Sequence, residues 1–547
     1  MACSVPSSVA GSRHLRLSLL AASRSRHLPL PAAAVGGRDG AEEHRGLLLI
    51  VSGERCSADL WGYQAGRNSS SETSDLLVRV VQHKMACGEL VGVVDEAMAP
   101  RGRWSFVQQA GWDAELVNQS YPWVEERIVH WPKVAPWQAA LRDGLLEAGV
   151  SPYNGYTYDH LYGTKVGGTI FDETGYRHTA ADLLAAGNPN NLRVLLYASV
   201  SKIVFNMKQG HKKPRAIGVQ FKDENGRHHQ AFLQKGRGSE IIVSAGAIGS
   251  PQLLLLSGIG PRNELKKHNI SVILHNEHVG EGMSDNPMNS IFVPMKNPTK
   301  QSLIETVGIT DAGVFIEASS GFSQSDDSIH CHHGIMSAEI GQLSTIPPKQ
   351  RSFNAIQKYV DNKYSLPKEV FDGGFILEKI DGPLSTGNLV LVDTDVDSNP
   401  SVTFNYFQHP KDLSRCVYGI KTIEKILNTN HFANLTANGA GYPMEKLLNM
   451  SVSANINLIP KHTNDTTSLE QFCRDTVTTI WHYHGGCHVG KVVDQQYRVI
   501  GISGLRVVDG STLLRSPGTN PQATVLMMGR YMGVNILRER LGRAAGV

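Results

Sequence analysis

The order of motifs along the chain predicts a doubly wound α/β domain into which a second, α+β domain is inserted. Three observations carry this expectation. An apolar stretch, Glu240–Ser244, runs into a glycine turn and a helical run, the strand–turn–helix unit that cradles phosphate in doubly wound sheets. A second apolar stretch, Leu505–Val508, ends in Asp509-Gly510, and Pro521-Gln522 then open a helical run to about Leu541. Between these units, residues 291–474 mix short strands such as 374–378 and 389–392 with helical stretches such as 413–427, without an internal repeat.

A chain of 547 residues can bury a large core in more than one domain. Gly accounts for 54 positions, above the usual ~7%, which favours tight turns and close backbone approaches. A net charge of only +3 implies no general affinity for nucleic acid. No apolar run reaches the roughly 18 residues of a membrane span, so no integral membrane segment is expected.

Taken in order, residues 1–105 form an atypical N-terminal region. Residues 1–36 carry Arg13, Arg16, Arg24 and Arg26 with no Asp or Glu, a composition that resembles an organelle transit peptide more than a secretory signal. Residues 47–51 (LLLIV) read as a buried strand, and little after them alternates cleanly. Residues 106–290 form the first part of the nucleotide-binding domain. In it, 192–197 and 200–205 read as strands, while 216–221 and 230–234 flank Glu224-Asn225-Gly226 as a hairpin. After the 240–244 strand, Ser250 and Pro251 are expected to cap and open the next helix. Residues 291–474 form the inserted domain, and residues 475–547 return to the first domain and carry the chemistry.

Seven Cys are scattered over the chain, which is not a disulfide framework. If the protein is exported, one bridge is the candidate, Cys416–Cys473. Sequons at Asn68, Asn118, Asn269, Asn434, Asn449 and Asn464 permit glycosylation in that compartment.

The densest polar constellation runs from Trp481 to Gly490 (WHYHGGCHVG). Thr519 or Asn520 is expected to cap the last helix, with Pro521 at its first position; Val525, Met528, Met532 and Ile536 would pack on the sheet. A helix N-terminus carries about half a positive charge and offers unpaired N–H groups. Beside it, a histidine and a carboxamide entering one cavity can share a single hydroxyl, the imidazole taking the proton and the amide orienting the oxygen. A metal is the other chemistry these residues could serve, at His482, His484, Cys487 and His488 or at His330, Cys331, His332 and His333. Neither spacing matches a zinc motif, and Gly485-Gly486 points to close backbone approach, so no metal is expected.

With those residues in view, the chain resembles the glucose–methanol–choline (GMC) oxidoreductases, in particular their HOTHEAD-like and mandelonitrile lyase-like group. The resemblance is carried by GAIGSPQLLLLSGIGP (246–261), VGEGMSDNP (279–287), WHYHGGC (481–487), VVDGST (507–512) and PGTNPQAT (517–524), in that order, and spans roughly residues 107–547. It implies a Rossmann-like FAD-binding domain with a substrate domain over the flavin. It makes His482 the catalytic histidine and Asn520 the second active-site position, which is His or Asn in the family. Trp481, Gly510, Pro521 and Gln522 match flavin-contacting positions, and Val200, in A-x-V-x-K, matches the residue whose backbone meets the adenine. His484 has a weaker claim.

One departure stands against the pattern. No G-x-G-x-x-G occurs: the G-x-G pairs at Gly236, Gly258, Gly280 and Gly439 lack the third glycine. The N-terminal βαβ unit is therefore expected to be degenerate or missing, at a cost to flavin retention and to stability.

Three functions follow. The first is an FAD-dependent oxidoreductase acting on the CH–OH group of a small hydroxyl-bearing substrate, by resemblance a long-chain ω-hydroxy fatty alcohol used in cuticle formation, with the hydride passing to the flavin. The second is a hydroxynitrile (mandelonitrile) lyase on the same scaffold; Asn520, where such members tend to carry a second histidine, favours redox chemistry. The third is a flavin-deficient, inactive relative. The resemblance implies secretion, whereas the Arg- and Ser-rich start suggests a plastid or mitochondrion, and no surface pattern indicates an oligomeric state.

Overall fold

A computed structural model describes the strands Leu47–Glu54 and Leu76–His83 and residues 107–541, except 109, 208–212, 235–237, 298–301, 303, 321–372, 436–442, 455–467 and 519. These residues belong to one compact unit, His44–Val547.

The first layer is a five-stranded, wholly parallel sheet in the order 505–507, 240–244, 47–54, 76–83, 192–195. The Glu240–Ser244 strand lies where the sequence places it, and Ile241, Ile242 and Val243 are buried there. The expected strand at 47–51 extends to Glu54 and occupies the centre of the sheet, with Leu76–His83 beside it. The N-terminal unit is therefore degenerate in its connection, which carries no glycine fingerprint, and not in its strands. The expected stability cost of missing central strands loses its premise.

The helix after Ser244 starts earlier than expected, running Gly246–Leu256 with Ala245 as N-cap. Ser250 and Pro251 thus lie inside it. Gly246 has φ +78°, a left-handed conformation that a residue without a Cβ adopts at no steric cost, so the chain turns here and not at Ser250. Ser250 caps from within instead: its Oγ accepts the Ala245 N–H at 3.0 Å. Leu253, Leu254, Leu255 and Leu256 are all buried, as expected of a helix that is apolar all round. The expected strands 192–197 and 200–205 are observed as Leu192–Leu195 and Ser199–Asn206. The predicted hairpin forms between Arg215–Lys222 and His228–Phe232, and the Asp223 side chain accepts from the Asn225 and Arg227 N–H groups across its turn.

The second layer is a seven-stranded sheet in the order 478–479, 287–294, 373–380, 314–320, 306–309, 163–166, 153–156. It reaches beyond residues 291–474. Gly163–Val166, read as part of the nucleotide-binding domain, pairs antiparallel with Thr306–Ile309, and Thr478–Thr479 closes the opposite edge against Pro287–Pro294. The boundaries at 290 and 474 therefore do not coincide with the sheets. One face of this sheet packs against the helices Pro136–Glu147 and Pro410–Leu427 through an apolar core that includes Trp137, Leu141, Ile376 and Ile423. Cys416 on the second helix is joined by a disulfide to Cys473 on the helix Leu469–Thr476. Among the described residues no helix is long and apolar enough to cross a membrane.

Candidate active site

His482 follows the edge strand Thr478–Thr479, and the chain kinks there because Trp481 takes φ +61°, uncommon for a bulky residue. Three contacts over-determine that kink. The Trp481 N–H donates to Thr479 Oγ1 at 2.9 Å, the His482 N–H donates to Asp285 Oδ1 at 2.9 Å, and His484 Nδ1 lies 2.9 Å from the His482 carbonyl. Asp285 is itself anchored, its Oδ2 accepting from the Tyr406 and Thr479 hydroxyls at 2.5 Å each. Burial pushes the Asp285 carboxyl up to about 7 against these donors. The half-buried Trp481 indole leans on an apolar cluster of Met288, Phe315, Leu377 and Ile480.

The His482 side chain is 3% exposed, and burial, then the Lys379 charge and His484, hold its pKa well below the usual imidazole value. It is a neutral ring at physiological pH and so able to accept a proton. The Asn286 carboxamide lies 3.2 Å from His482 Nδ1 and also donates to Ser516 Oγ at 3.2 Å.

Asn520 immediately precedes Pro521 and the helix Gln522–Leu541, one residue later than expected for the helix start; the Pro521 carbonyl accepts the Val525 N–H at 2.9 Å. Asn520 Oδ1 accepts from Lys379 Nζ at 2.6 Å. The Asn286 amide nitrogen spans from His482 Nδ1 to the Gly518 carbonyl, two residues before Asn520, which brings these two stretches, 38 positions apart at His482 and Asn520, into one neighbourhood. Lys379 and its counter-ion Glu317, at 2.5 Å, are both fully buried. At the start of the last helix, Gln522 Oε1 is buried and has no hydrogen-bond partner among the described residues.

Gly510 opens the 3₁₀ turn Gly510–Thr512, and its carbonyl accepts the Gly485 N–H at 3.1 Å. The buried Asp509 beside it ties this turn to the Gly246 turn. Its Oδ2 accepts from the Gly246 N–H at 3.0 Å and the Ser250 hydroxyl at 2.5 Å, and its Oδ1 from the Ser511 N–H and hydroxyl. Val200 is placed elsewhere: it is buried in the core of the parallel sheet, paired with Phe221, and not grouped with His482 and Asn520.

Gly485 and Gly486, at φ +88° and +96°, do approach other backbone closely, but the neighbour is the chain itself. A Cβ on Gly485 would fall 2.1 Å from the Gly282 carbonyl oxygen. Among the described residues no three His, Cys, Asp or Glu gather as metal ligands; His330–His333 lie outside those residues, as do Thr519 and residues 1–46. Asp285, Asn286, Lys379, Glu317 and the tie made by Asp509 carry no assignment from the sequence. The motif SDNP (284–287) was the available signal for the first two.

With this geometry in place, the comparisons define the class. Residues 99–288 and 383–529 match the N- and C-terminal parts of the GMC oxidoreductase family. The chain belongs to the GMC oxidoreductases, for which FAD is the characteristic cofactor. It is 61% identical over 444 residues to the protein HOTHEAD of Arabidopsis thaliana, covering 81% of this chain and 74% of that protein. It is 41% identical to an (R)-mandelonitrile lyase-like protein of the same plant (83% and 77% covered), and 40% identical to the sinalpyl alcohol oxidase Nec3 of Nesocodon mauritianus (81% and 73%). Its fold matches the crystal structure of pyridoxine 4-oxidase from Mesorbium loti with a TM-score of 0.62 at 15% identity, covering 90% of this chain and 99% of that one.

The residues at the start of the last helix fit a flavin. A 20-residue helix presents its electropositive N-terminus there, and the buried Gln522 oxygen beside it awaits a donor. The stretch that would meet the pyrophosphate lies outside the described residues.

Proposed function

We propose that this chain oxidises the CH–OH group of an alcohol, with His482 as the base and Asn520 as the group that orients the hydroxyl. The observation that carries the reading is a buried imidazole joined through Asn286 to the segment that carries the Asn520 carboxamide, beside the N-terminus of the last helix. Bound FAD supplies the acceptor for the hydride that leaves the carbinol carbon. The residues do the rest. Asp285, bonded to the His482 N–H, fixes where the ring enters. Asn286 Nδ2, held to Ser516 Oγ and the Gly518 carbonyl, also stands 3.2 Å from Nδ1 and so fixes how the ring is turned. Trp481, Gly510, Pro521 and Gln522 would hold the flavin, and Val200 its adenine end. The similarity to HOTHEAD supports a long-chain ω-hydroxy fatty alcohol as substrate.

A hydroxynitrile lyase reading has the similarity to the mandelonitrile lyase-like protein in its favour. Asn520 supports the redox reading, because a carboxamide orients oxygen without adding a second base. Secretion is supported by the Cys416–Cys473 bridge, which persists in oxidising compartments, and by the exposed sequons at Asn118, Asn269, Asn434 and Asn449.

The experiment is direct. The purified protein should keep a flavin absorption band through gel filtration, and an ω-hydroxy fatty acid added without oxygen should bleach it. Cyanide release from mandelonitrile without bleaching by alcohols would replace this reading with the lyase. Absence of the band would leave a relative without usable flavin.

A further inference from the structure

Lys379 lies near the end of the Gly373–Ile380 strand, on the sheet face away from the helices. Cross-strand pairing places it opposite Phe315 on one side and Met288 on the other, and both belong to the apolar cluster against which Trp481 leans. Glu317 pairs with Leu377, two residues before Lys379, and is thus its diagonal neighbour on the same face. A fully buried ammonium is tolerated here because Glu317 neutralises it at 2.5 Å.

An ammonium group has three donors and no acceptor, so only the oxygen end of a carboxamide can face it. The Asn520 amide therefore has one orientation: Oδ1 accepts from Lys379 at 2.6 Å, and Nδ2 points away. We propose that Lys379 is a positioning residue for the oxidation, holding Asn520 so that its Nδ2 donors meet the substrate oxygen while His482 removes the proton. This rests on the alcohol-oxidation reading above.

The arrangement divides the work. His482 accepts the proton, Asn520 donates to the oxygen that gains negative charge, and the ammonium behind Asn520 strengthens that donor and adds positive potential. The titratable groups facing the His482 ring and its backbone are Lys379, His484 and Asp285, with Glu317 behind Lys379 as its counter-ion.

Lys379→Met alone leaves Glu317 buried without its partner and can fail to fold. The test therefore uses Lys379→Met/Glu317→Leu, which removes both charges, together with His482→Ala and Asn520→Ala. The charge-pair variant should reduce the rate constant of flavin reduction about 10- to 100-fold with a smaller change in KM. The acid limb of the rate–pH profile should move to higher pH, because His482 loses the charge that opposes its protonation. In an Asn520→Ala background the charge-pair change should lower the rate no further, since Lys379 acts through Asn520. Carbon-13 histidine NMR gives a readout without turnover: the His482 ring, assigned by its loss in His482→Ala, should titrate closer to the ordinary imidazole value.

An unchanged rate, pH profile and His482 titration in the folded charge-pair variant would overturn the proposal, as would losses that multiply with Asn520→Ala. Failure of the wider reading looks different: there, His482→Ala itself would leave reduction by the alcohol intact.

Discussion

At the end of the parallel sheet, the Leu505–Val507 strand runs into Asp509, whose carboxylate gathers the Gly246 N–H, the Ser250 hydroxyl and the Ser511 N–H and hydroxyl. At the edge of the antiparallel sheet, Thr478–Thr479 runs into Trp481 and His482, and Asp285 gathers the His482 N–H with the Tyr406 and Thr479 hydroxyls. Both are buried aspartates that organise a turn after a strand. The first turn offers backbone: glycines, N–H groups and the start of a helix. The second offers side chains, a buried imidazole and, two strands into the sheet, a buried lysine. In the proposed reading the parallel sheet builds a place for the cofactor, and the second sheet brings the groups that act on substrate.

The largest effect should come from the side-chain edge. His482→Ala should lower the rate of flavin reduction by substrate about 10³-fold or more, while the flavin band survives gel filtration, because the backbone cradle is untouched. Stopped-flow reduction beside the visible spectrum checks both halves. Loss of flavin together with reduction would mean that the two edges are not separable as described.

The complementary substitution is Asp509→Ala. It strands buried donors on Gly246, Ser250 and Ser511, and at roughly 1–3 kcal/mol for an unsatisfied buried group the total should approach about 4 kcal/mol. Thermal unfolding should show it, with weaker flavin retention. Asp285→Ala should reverse the balance, costing more turnover than retention. Equal patterns from both would break the comparison.

The sequence reveals the parts of this division that lie in one stretch of chain. WHYHGGC and TNPQ each present their functional residue beside a local signal, the glycine pair or the helix-opening proline. Glu240–Ser244 declares itself as an unbroken apolar run. What stays hidden is assembled across strands. Lys379 sits at the end of GGFILEKI, where Glu378-Lys379 reads as a solvated strand end, yet both residues are fully buried. Glu317 in the middle of VFIEASS was the readable anomaly, a charge where burial demands a partner, but its partner lies 62 residues away. Leu76–His83 escapes notice because Arg79, Gln82 and His83 interrupt its apolar pattern.

The face of the antiparallel sheet turned away from the site gives a control. The Cys416–Cys473 bridge closes a sequence separation of 57 there, so Cys416→Ser/Cys473→Ser should cost about 2–4 kcal/mol of stability. Turnover per folded molecule should stay unchanged, because the bridge ties helices on the apolar face. Loss of turnover at full folding would show that strain on one face reaches the other.

The smallest effect is a pH dependence. Asp285 is raised from 3.8 to about 7, chiefly by burial. A carboxyl that holds its proton more tightly when folded adds stability that is complete below its unfolded value and is lost as pH rises through the folded one. The window is therefore 3.8 to about 7, and the share of the unfolding midpoint that depends on Asp285 should be higher near pH ~5 than near pH ~8. The buried His482, His484 and His488, held below the usual imidazole value, push the other way. Glu305, also raised to about 7 by burial, and the buried Glu378, raised well above its ordinary range, push in the same direction as Asp285. Asp285→Asn should flatten the slope without abolishing it. Asp509, equally buried and raised, has four donors aimed at it from two turns. Asp509→Asn should therefore lower the midpoint at every pH, because an amide turns donors toward groups that are themselves donors. A flattened slope from one aspartate and a uniform drop from the other would distinguish the edge that holds a histidine from the edge that holds a turn.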